Sequence, residues 1–182
     1  MFIDKIKKNI AESAAVKELM LNDESVISLI NEIAENCINS LSKGGKVIFC
    51  GNGGSFSDAQ HLSAEFTGKY GFDRDPLASI VLGANSSSLS AIGNDYGFEN
   101  VFSRELEAVA KSEDLLIGIT TSGNSENIIK VIETAKSMKI KTYIFTGDSG
   151  GKTQSKAICL NVPSDITARI QECHIMICLL YT

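Results

Sequence analysis

Apolar residues change their spacing near residue 45, and the change separates two kinds of structure. Ile3, Ile6 and Ile10 fall on one stripe. Val26, Ile30, Ile33, Cys37 and Leu41 form a longer one with Ala34 beside it, ended by Gly44-Gly45. Steps of three and four place each set on one face of an amphipathic helix, and the paired glycines stop the second. From Lys46 onward the pattern turns to short β-rich runs with helical stretches between them: Val47 to Cys50, Ala78 to Leu82, Leu115 to Ile119, Thr142 to Phe145 and Ile158 to Val162. That alternation predicts an α/β fold, a parallel sheet with helices on both faces. Crossover helices already cover such a sheet, so the first helix is expected to have nothing local to pack against and to pack on another subunit. No repeat, linker or low-complexity tract interrupts the sequence, which predicts one domain over 1–182, with N-terminal helices in 1–43 and an α/β core in 46–182.

With 43% hydrophobic and 21% charged residues over 182 positions, the composition is that of an ordinary globular chain with a sizeable core. A formal charge of −5 without a basic run argues against holding nucleic acid by phosphate neutralisation. No apolar stretch approaches the ~20 residues of a membrane span, and the N-terminus lacks a signal-peptide core, so a cytoplasmic location without membrane attachment is expected. The cysteines are odd in number, five, and lie in apolar segments without a Cys-x-x-Cys pair, as reduced and mostly buried thiols do.

The chemistry concentrates where strands are expected to end. Gly51-Asn52-Gly53-Gly54-Ser55 follows the first β run and precedes a helical stretch. A strand that breaks into glycines and opens a helix aims unpaired N–H groups and the positive helix end at one point, which suits a phosphate. Asp114 to Ile119 ends likewise in Thr120-Thr121-Ser122-Gly123-Asn124-Ser125, before the helical pattern Ile128, Ile129, Ile132, Ala135. Both loops would lie at the carboxyl ends of parallel strands, where ligands bind in such sheets. Together they offer the hydroxyls of Ser55, Thr120, Ser122 and Ser125 with no Lys or Arg inside the motifs, a pattern suited to a sugar phosphate held by neutral donors. The chain has neither the Gly-x-x-x-x-Gly-Lys-Ser/Thr motif of nucleotide triphosphate sites nor, in this loop, the Gly-x-Gly-x-x-Gly spacing of dinucleotide sites.

Three polar pairs complete the inventory. His61 and Glu65, four apart, share one face of the helix leaving the first loop, either as a base and ligand pair near the sugar or as a surface ion pair. Gln171 and His174 stand three apart in the apolar run Ile170 to Leu180, a pairing also consistent with a structural hydrogen bond in the core or at an interface. Asn94-Asp95 either closes a turn or binds sugar hydroxyls.

Five stretches, in order, resemble the sugar isomerase (SIS) domain family, and within it the bacterial phosphoheptose isomerases. They are Cys50-Gly51-Asn52-Gly53-Gly54-Ser55, Asp58-Ala59-Gln60-His61 with Glu65, Ile92-Gly93-Asn94-Asp95-Tyr96-Gly97-Phe98, Thr120-Thr121-Ser122-Gly123-Asn124-Ser125, and Ala168-Arg169-Ile170-Gln171-Glu172. The resemblance covers nearly the whole chain. It implies a three-layer sandwich around a five-stranded parallel sheet, N-terminal helices packed in a homotetramer with active sites at subunit interfaces, and often a zinc ion. The activity it implies is conversion of sedoheptulose 7-phosphate to D-glycero-D-manno-heptose 7-phosphate through an enediol, supplying heptose for surface polysaccharide. Residue by residue it implies that Ser55, Thr120, Ser122 and Ser125 hold the phosphate, that Asn52, Gly53, Asn94 and Asp95 face the sugar, and that Gly54, Thr121 and Gln171 complete the substrate site. Glu65 would be the catalytic base, with His61, Glu65 and Gln171 as zinc ligands.

One departure stands out. The family's histidine eight residues after the glutamine, a zinc ligand and proposed general acid, is here Leu179, which can neither ligate nor move a proton. Cys178 and His174 lie within about 60° of Gln171 around a helix and are the candidate substitutes. The departure also opens an alternative: a catalytically impaired SIS protein that binds a partner, like the DnaA initiator-associating branch, or senses a sugar phosphate without turnover. That partner-binding branch lacks the glutamate four after the histidine, whereas this chain keeps His61 and Glu65.

Overall fold

The computed structural model describes residues 2–180. Helices α1 (Phe2–Leu21) and α2 (Glu24–Ser42) precede β1 (Val47–Gly51), α3 (Gly54–Thr67), β2 (Ser79–Val81), α4 (Ser86–Tyr96), α5 (Val101–Val109), β3 (Leu115–Ile119), α6 (Glu126–Ser137), β4 (Lys141–Thr146), β5 (Ile158–Asn161) and α7 (Thr167–Leu179). The five strands form one parallel sheet in the order β2-β1-β3-β4-β5. All five β runs read from the sequence are strands, within a residue or two of their expected ends.

Alternation along each strand divides the core in two, because successive side chains point to opposite faces. Val47, Phe49, Leu115, Ile117, Ile119, Tyr143 and Phe145 pack with Ile33 and Cys37 of α2, Leu62 and Phe66 of α3, and Ile170, Cys173 and Ile177 of α7. Ile48, Cys50, Leu116 and Ile144 pack with Phe102 and Leu106 of α5 and with Ile128, Val131, Ile132 and Ala135 of α6. The central strands β1 and β3 are buried along their whole length, which is why they read as unbroken apolar runs rather than alternating ones. Gly118 leaves the room that Ile144 occupies: a Cβ there would come within 2.7 Å of its Cδ1.

The expectation for α1 needs correction. Its C-terminal half does find a local partner: Met20 is buried in the core, Val16 packs against it, and Lys17 reaches Glu172 of α7 at 3.8 Å. The apolar side chains of its N-terminal half stay largely exposed, Phe2, Ile3, Ile6 and Ile10 between 57% and 82%. The five cysteines form no disulfide, and burial pushes the Cys37 and Cys50 thiols up to about 12. No helix among the described residues is long and apolar enough to cross a membrane.

Candidate active site

The strand order places the site. From β1 the chain crosses to β2 on one side and to β3 on the other, so the reversal lies between β1 and β3, where a crevice opens beyond the carboxyl ends. Gly51 and Ile119 are register partners at the ends of these two strands. Neighbouring strands run about 4.8 Å apart, so the loops 52–53 and 120–125 start side by side.

Each loop opens a helix without a side-chain cap. At α3 the N-cap is Gly53, at φ 58°, and at α6 it is Ser125, whose hydroxyl bonds no N–H of its own helix. By contrast Asp23 and Asn85 cap α2 and α4. An uncapped helix start leaves N–H groups that no side chain has taken, which suits an anion, while Ser55 N, Phe56 N and Ile128 N are engaged by main-chain carbonyls. Asn52 O accepts from Ser55 N (3.1 Å), which folds the chain back over Gly51 so tightly that a Cβ there would lie 2.6 Å from Ser55 O.

The second loop is braced from behind by the turn after β4. Gly123 O accepts from Thr153 N (3.1 Å), Asn124 Oδ1 from Lys152 N (3.1 Å), and Gly147 N donates to Thr121 O (3.1 Å). Within the loop Thr120 Oγ1 and Ser125 Oγ are 3.4 Å apart, and Ser122 Oγ accepts from Asn124 N (3.2 Å). Ser55 and Thr120 are buried, whereas Ser122 is exposed.

The hydroxyls do not all open on one hollow. Thr121 and Ser122 line a cavity of about 340 Å³ with Asp148 and Asp165. Asn52 and Ser125 line another of about 640 Å³ with Phe98, Asn127 and Lys130. A cation therefore does accompany the loops. Lys130 lies beyond both Ser/Gly motifs and joins the wall through α6; its Nζ donates to Asn100 Oδ1 (3.0 Å) and lies 3.6 Å from Glu99. Asn127 likewise carries no distinctive sequence signal, because a second-position helix asparagine resembles any polar first turn; it is the partner of Asn52, through Nδ2-to-Oδ1 bonds of 2.9 Å in both directions.

On α3, His61 Nε2 lies 3.2 Å from Glu65 Oε1, with the imidazole the more exposed of the two. Asp58, one turn nearer the loop, has a buried Oδ2 without a hydrogen-bond partner, and burial raises its pKa. Across from this face Gln171 of α7 rests on Gly54, where a Cβ would overlap its Nε2. The first loop, the His61-Glu65 helix and Gln171 thus belong to one neighbourhood. Asn94 and Asp95 line neither loop cavity: the stretch is helical rather than a turn, Asn94 Nδ2 donates to Asp95 Oδ1 (2.7 Å), and both are exposed on α4.

The candidate substitutes for the missing ligand are sealed in the core. His174 is 0% exposed and donates from Nε2 to Thr146 O (3.2 Å), while Cys178 is buried beside Cys173 and Ile177. Leu179 packs against the same cluster. Among the described residues no three His, Cys, Asp or Glu side chains come together as a metal-holding group. Of the four donors that a zinc ion takes, His61 and Glu65 supply two, Gln171 beside Gly54 offers only a weak amide oxygen as a third, and the position expected to supply the fourth, Leu179, is hydrocarbon.

Burial lowers the His174 pKa from 6.5 to about 4, partly offset by its bond to Thr146 O. The neutral ring is the folded form, so the unfolded chain takes up a proton first as pH falls. The stability this group contributes is complete above pH 6.5 and is lost between pH 6.5 and 4, to the extent of ~3 kcal/mol. Urea midpoints are expected to fall over that window more steeply in the wild type than in His174→Gln; parallel curves would contradict the assignment.

Known proteins share this frame. The SIS domain family model matches residues 11–147. A phosphoheptose isomerase of Sulfurimonas denitrificans is 46% identical over 173 residues, covering 94% of this chain and 89% of its own. The chain belongs to the SIS domain family, in its phosphoheptose isomerase branch. A second relative of that name, from Aneurinibacillus thermoaerophilus, is 47% identical over 175 residues, with 96% of this chain and 88% of its own covered. The solved phosphoheptose isomerase of Neisseria gonorrhoeae superposes with a TM-score of 0.92 at 37% identity, over 100% of this chain and 96% of its own. That of Francisella tularensis gives 0.93 at 35%, with the same coverage. Membership in a branch of named isomerases favours the enzyme over the partner-binding and sensing alternatives.

Proposed function

We propose that the chain isomerises sedoheptulose 7-phosphate to D-glycero-D-manno-heptose 7-phosphate, in the cytoplasm, on the way to surface polysaccharide. The observation that carries the proposal is the pairing of two uncapped Ser/Gly helix openings on adjacent strands with a carboxylate-imidazole pair on the helix leaving one of them. The loops bind the phosphate through backbone N–H groups and the hydroxyls of Ser55, Thr120 and Ser125, and Ser122, which lines the neighbouring cavity, joins them only with a turn of its side chain toward the anion. Glu65 removes a proton from C1 of the open-chain ketose, and the electrons form an enediol. Returning the proton to C2 gives the aldose. A positioned carboxylate of this kind contributes about 10²–10⁴ in rate. The accompanying shift of a proton from O1 to O2 falls to His61, since the other histidine, His174, is enclosed in the core.

Zinc stands outside these steps, because beyond His61 and Glu65 the donor set has only the weak amide oxygen of Gln171, and Leu179 adds nothing to it. Turnover is expected to stay within twofold between chelator and added zinc. A tenfold loss in chelator would mean that His61, Glu65 and Gln171 hold a metal after all.

The assembly we propose is a homotetramer. The exposed stripe Phe2, Ile3, Ile6 and Ile10 supplies apolar surface for it. Asn94 and Asp95, exposed on α4 and outside the loop cavities, would then serve the sugar site of a neighbouring copy. Purified protein incubated with sedoheptulose 7-phosphate and followed by NMR should yield the aldose phosphate. Saturable binding with no product would replace the isomerase by a sensor.

A further inference from the structure

Among the described residues, a neutral side-chain pair ties the first loop to the helix that follows the second. Asn52 leaves β1 and Asn127 lies in the first turn of α6, yet each amide donates to the other at 2.9 Å, and Asn127 is only 3% exposed. Asn127 is held firmly, because its neighbours Ile128 and Ile129 are buried and both donate their N–H groups to Ser125 O (3.0 Å). Asn52 stands on looser ground. It precedes Gly53 and Gly54, residues that add backbone freedom, and Gly53 takes φ 58° with open space, nothing within 4 Å, where a Cβ would stand.

We propose that the Asn52–Asn127 amide pair is the positioning device that fixes the spacing of the two loops, so that Ser55 and Ser125 address the same anion. The path is short on both sides. Asn52 O accepts from Ser55 N, and Asn127 lies two residues beyond Ser125, so any slip of the pair moves one hydroxyl relative to the other. Two amides suit the place. Each uses a donor and an acceptor on the other, so the pair itself adds no charge to the wall it shares with Lys130. Asn52 thereby acts on the substrate through its backbone and its loop, while its side-chain amide is engaged with Asn127. Asn127 is a positioning residue for the reaction.

The inference rests on the sugar-phosphate reading above, and a binding measurement with inorganic phosphate separates the two. Phosphate affinity, KM and kcat are compared for the wild type, Asn52→Ala, Asn127→Ala and the double variant. Each single substitution removes both bonds, so Asn127→Ala is expected to weaken phosphate binding and raise KM at least tenfold with kcat within threefold. The double variant should be no more than threefold worse than the poorer single one. Phosphate affinity in Asn127→Ala within twofold of the wild type, or losses that multiply in the double variant, would overturn the proposal. If Asn127→Ala does not fold, the equal-sized Asn127→Asp, which sets an acceptor against Asn52 Oδ1, is expected to show the same tenfold loss, and wild-type affinity in it would be equally fatal. A wild type that binds phosphate but never turns over the sugar would remove the isomerase reading and leave the pair to be judged on affinity alone.

Discussion

Glu65→Gln is expected to lower kcat for sugar-phosphate isomerisation by about 10³-fold, with little change in KM or thermal stability. The amide keeps the size of the carboxylate and can still meet His61, whose Nε2 lies 3.2 Å from Glu65 Oε1 in the native pair. It cannot take a proton from carbon. The pair is partly exposed, so its own contribution to stability is small and folding should survive the change. The Glu65 main chain is anchored independently, since Glu65 O accepts from Arg74 Nη2 (2.8 Å). Rates measured alongside a urea titration separate chemistry from folding: a variant retaining more than a tenth of wild-type kcat would exclude Glu65 as the base.

Gly123→Ala should be the most damaging single-methyl change at the site. At φ 64° an L-residue is already strained, at a cost of about 1–2 kcal/mol. The added Cβ would also overlap the Gly150 carbonyl oxygen and sit 2.5 Å from its carbon and 2.9 Å from Gly151 N. Those atoms are backbone, in the turn that braces the second loop, so relief requires the loop and the turn to separate. The bonds from Thr153 N to Gly123 O and from Lys152 N to Asn124 Oδ1 would go with them. We expect a stability loss of ~3 kcal/mol and at least a tenfold rise in KM. Gly53→Ala offers the contrast, because φ is similar but nothing lies within 4 Å; its stability loss should stay near 1 kcal/mol. Equal losses in the two variants would show that contact with the Gly150 turn is not what fixes the loop.

Much of this is legible in the sequence because it depends on local rules. The runs Val47 to Cys50 and Leu115 to Ile119 are buried on both sides and therefore continuous, and the glycines of Gly51-Asn52-Gly53-Gly54 mark the point where β1 must turn into α3. What escapes it depends on distance in space. Lys130 and Asn127 reach the site only because β1 and β3 are neighbours and α6 follows directly from the loop that ends β3; no spacing in the sequence brings residue 52 to residue 127. Asn94 and Asp95 give a turn-like signal, yet the helix that Asn85 caps runs on to Tyr96 and includes both, exposed on its surface. His174 and Cys178 share a helix side with Gln171 at sequence level, but that side meets the sheet one and two turns along, and there both are enclosed. The first helix departs from expectation for the same reason, since Met20 and Val16 contact a core assembled from residues far along the chain.

The central claim is that this chain moves a proton between C1 and C2 of a phosphorylated sugar. The most direct measurement is NMR of sedoheptulose 7-phosphate incubated with the purified protein in heavy water, read at the C2 position of the aldose and the C1 position of the remaining ketose. Deuterium appearing at these carbons with wild-type protein, and absent with Glu65→Gln, is the expected result. Saturable binding of the sugar phosphate with no exchange at either carbon and no aldose formed would contradict the isomerase and leave a binding protein built on the same two loops.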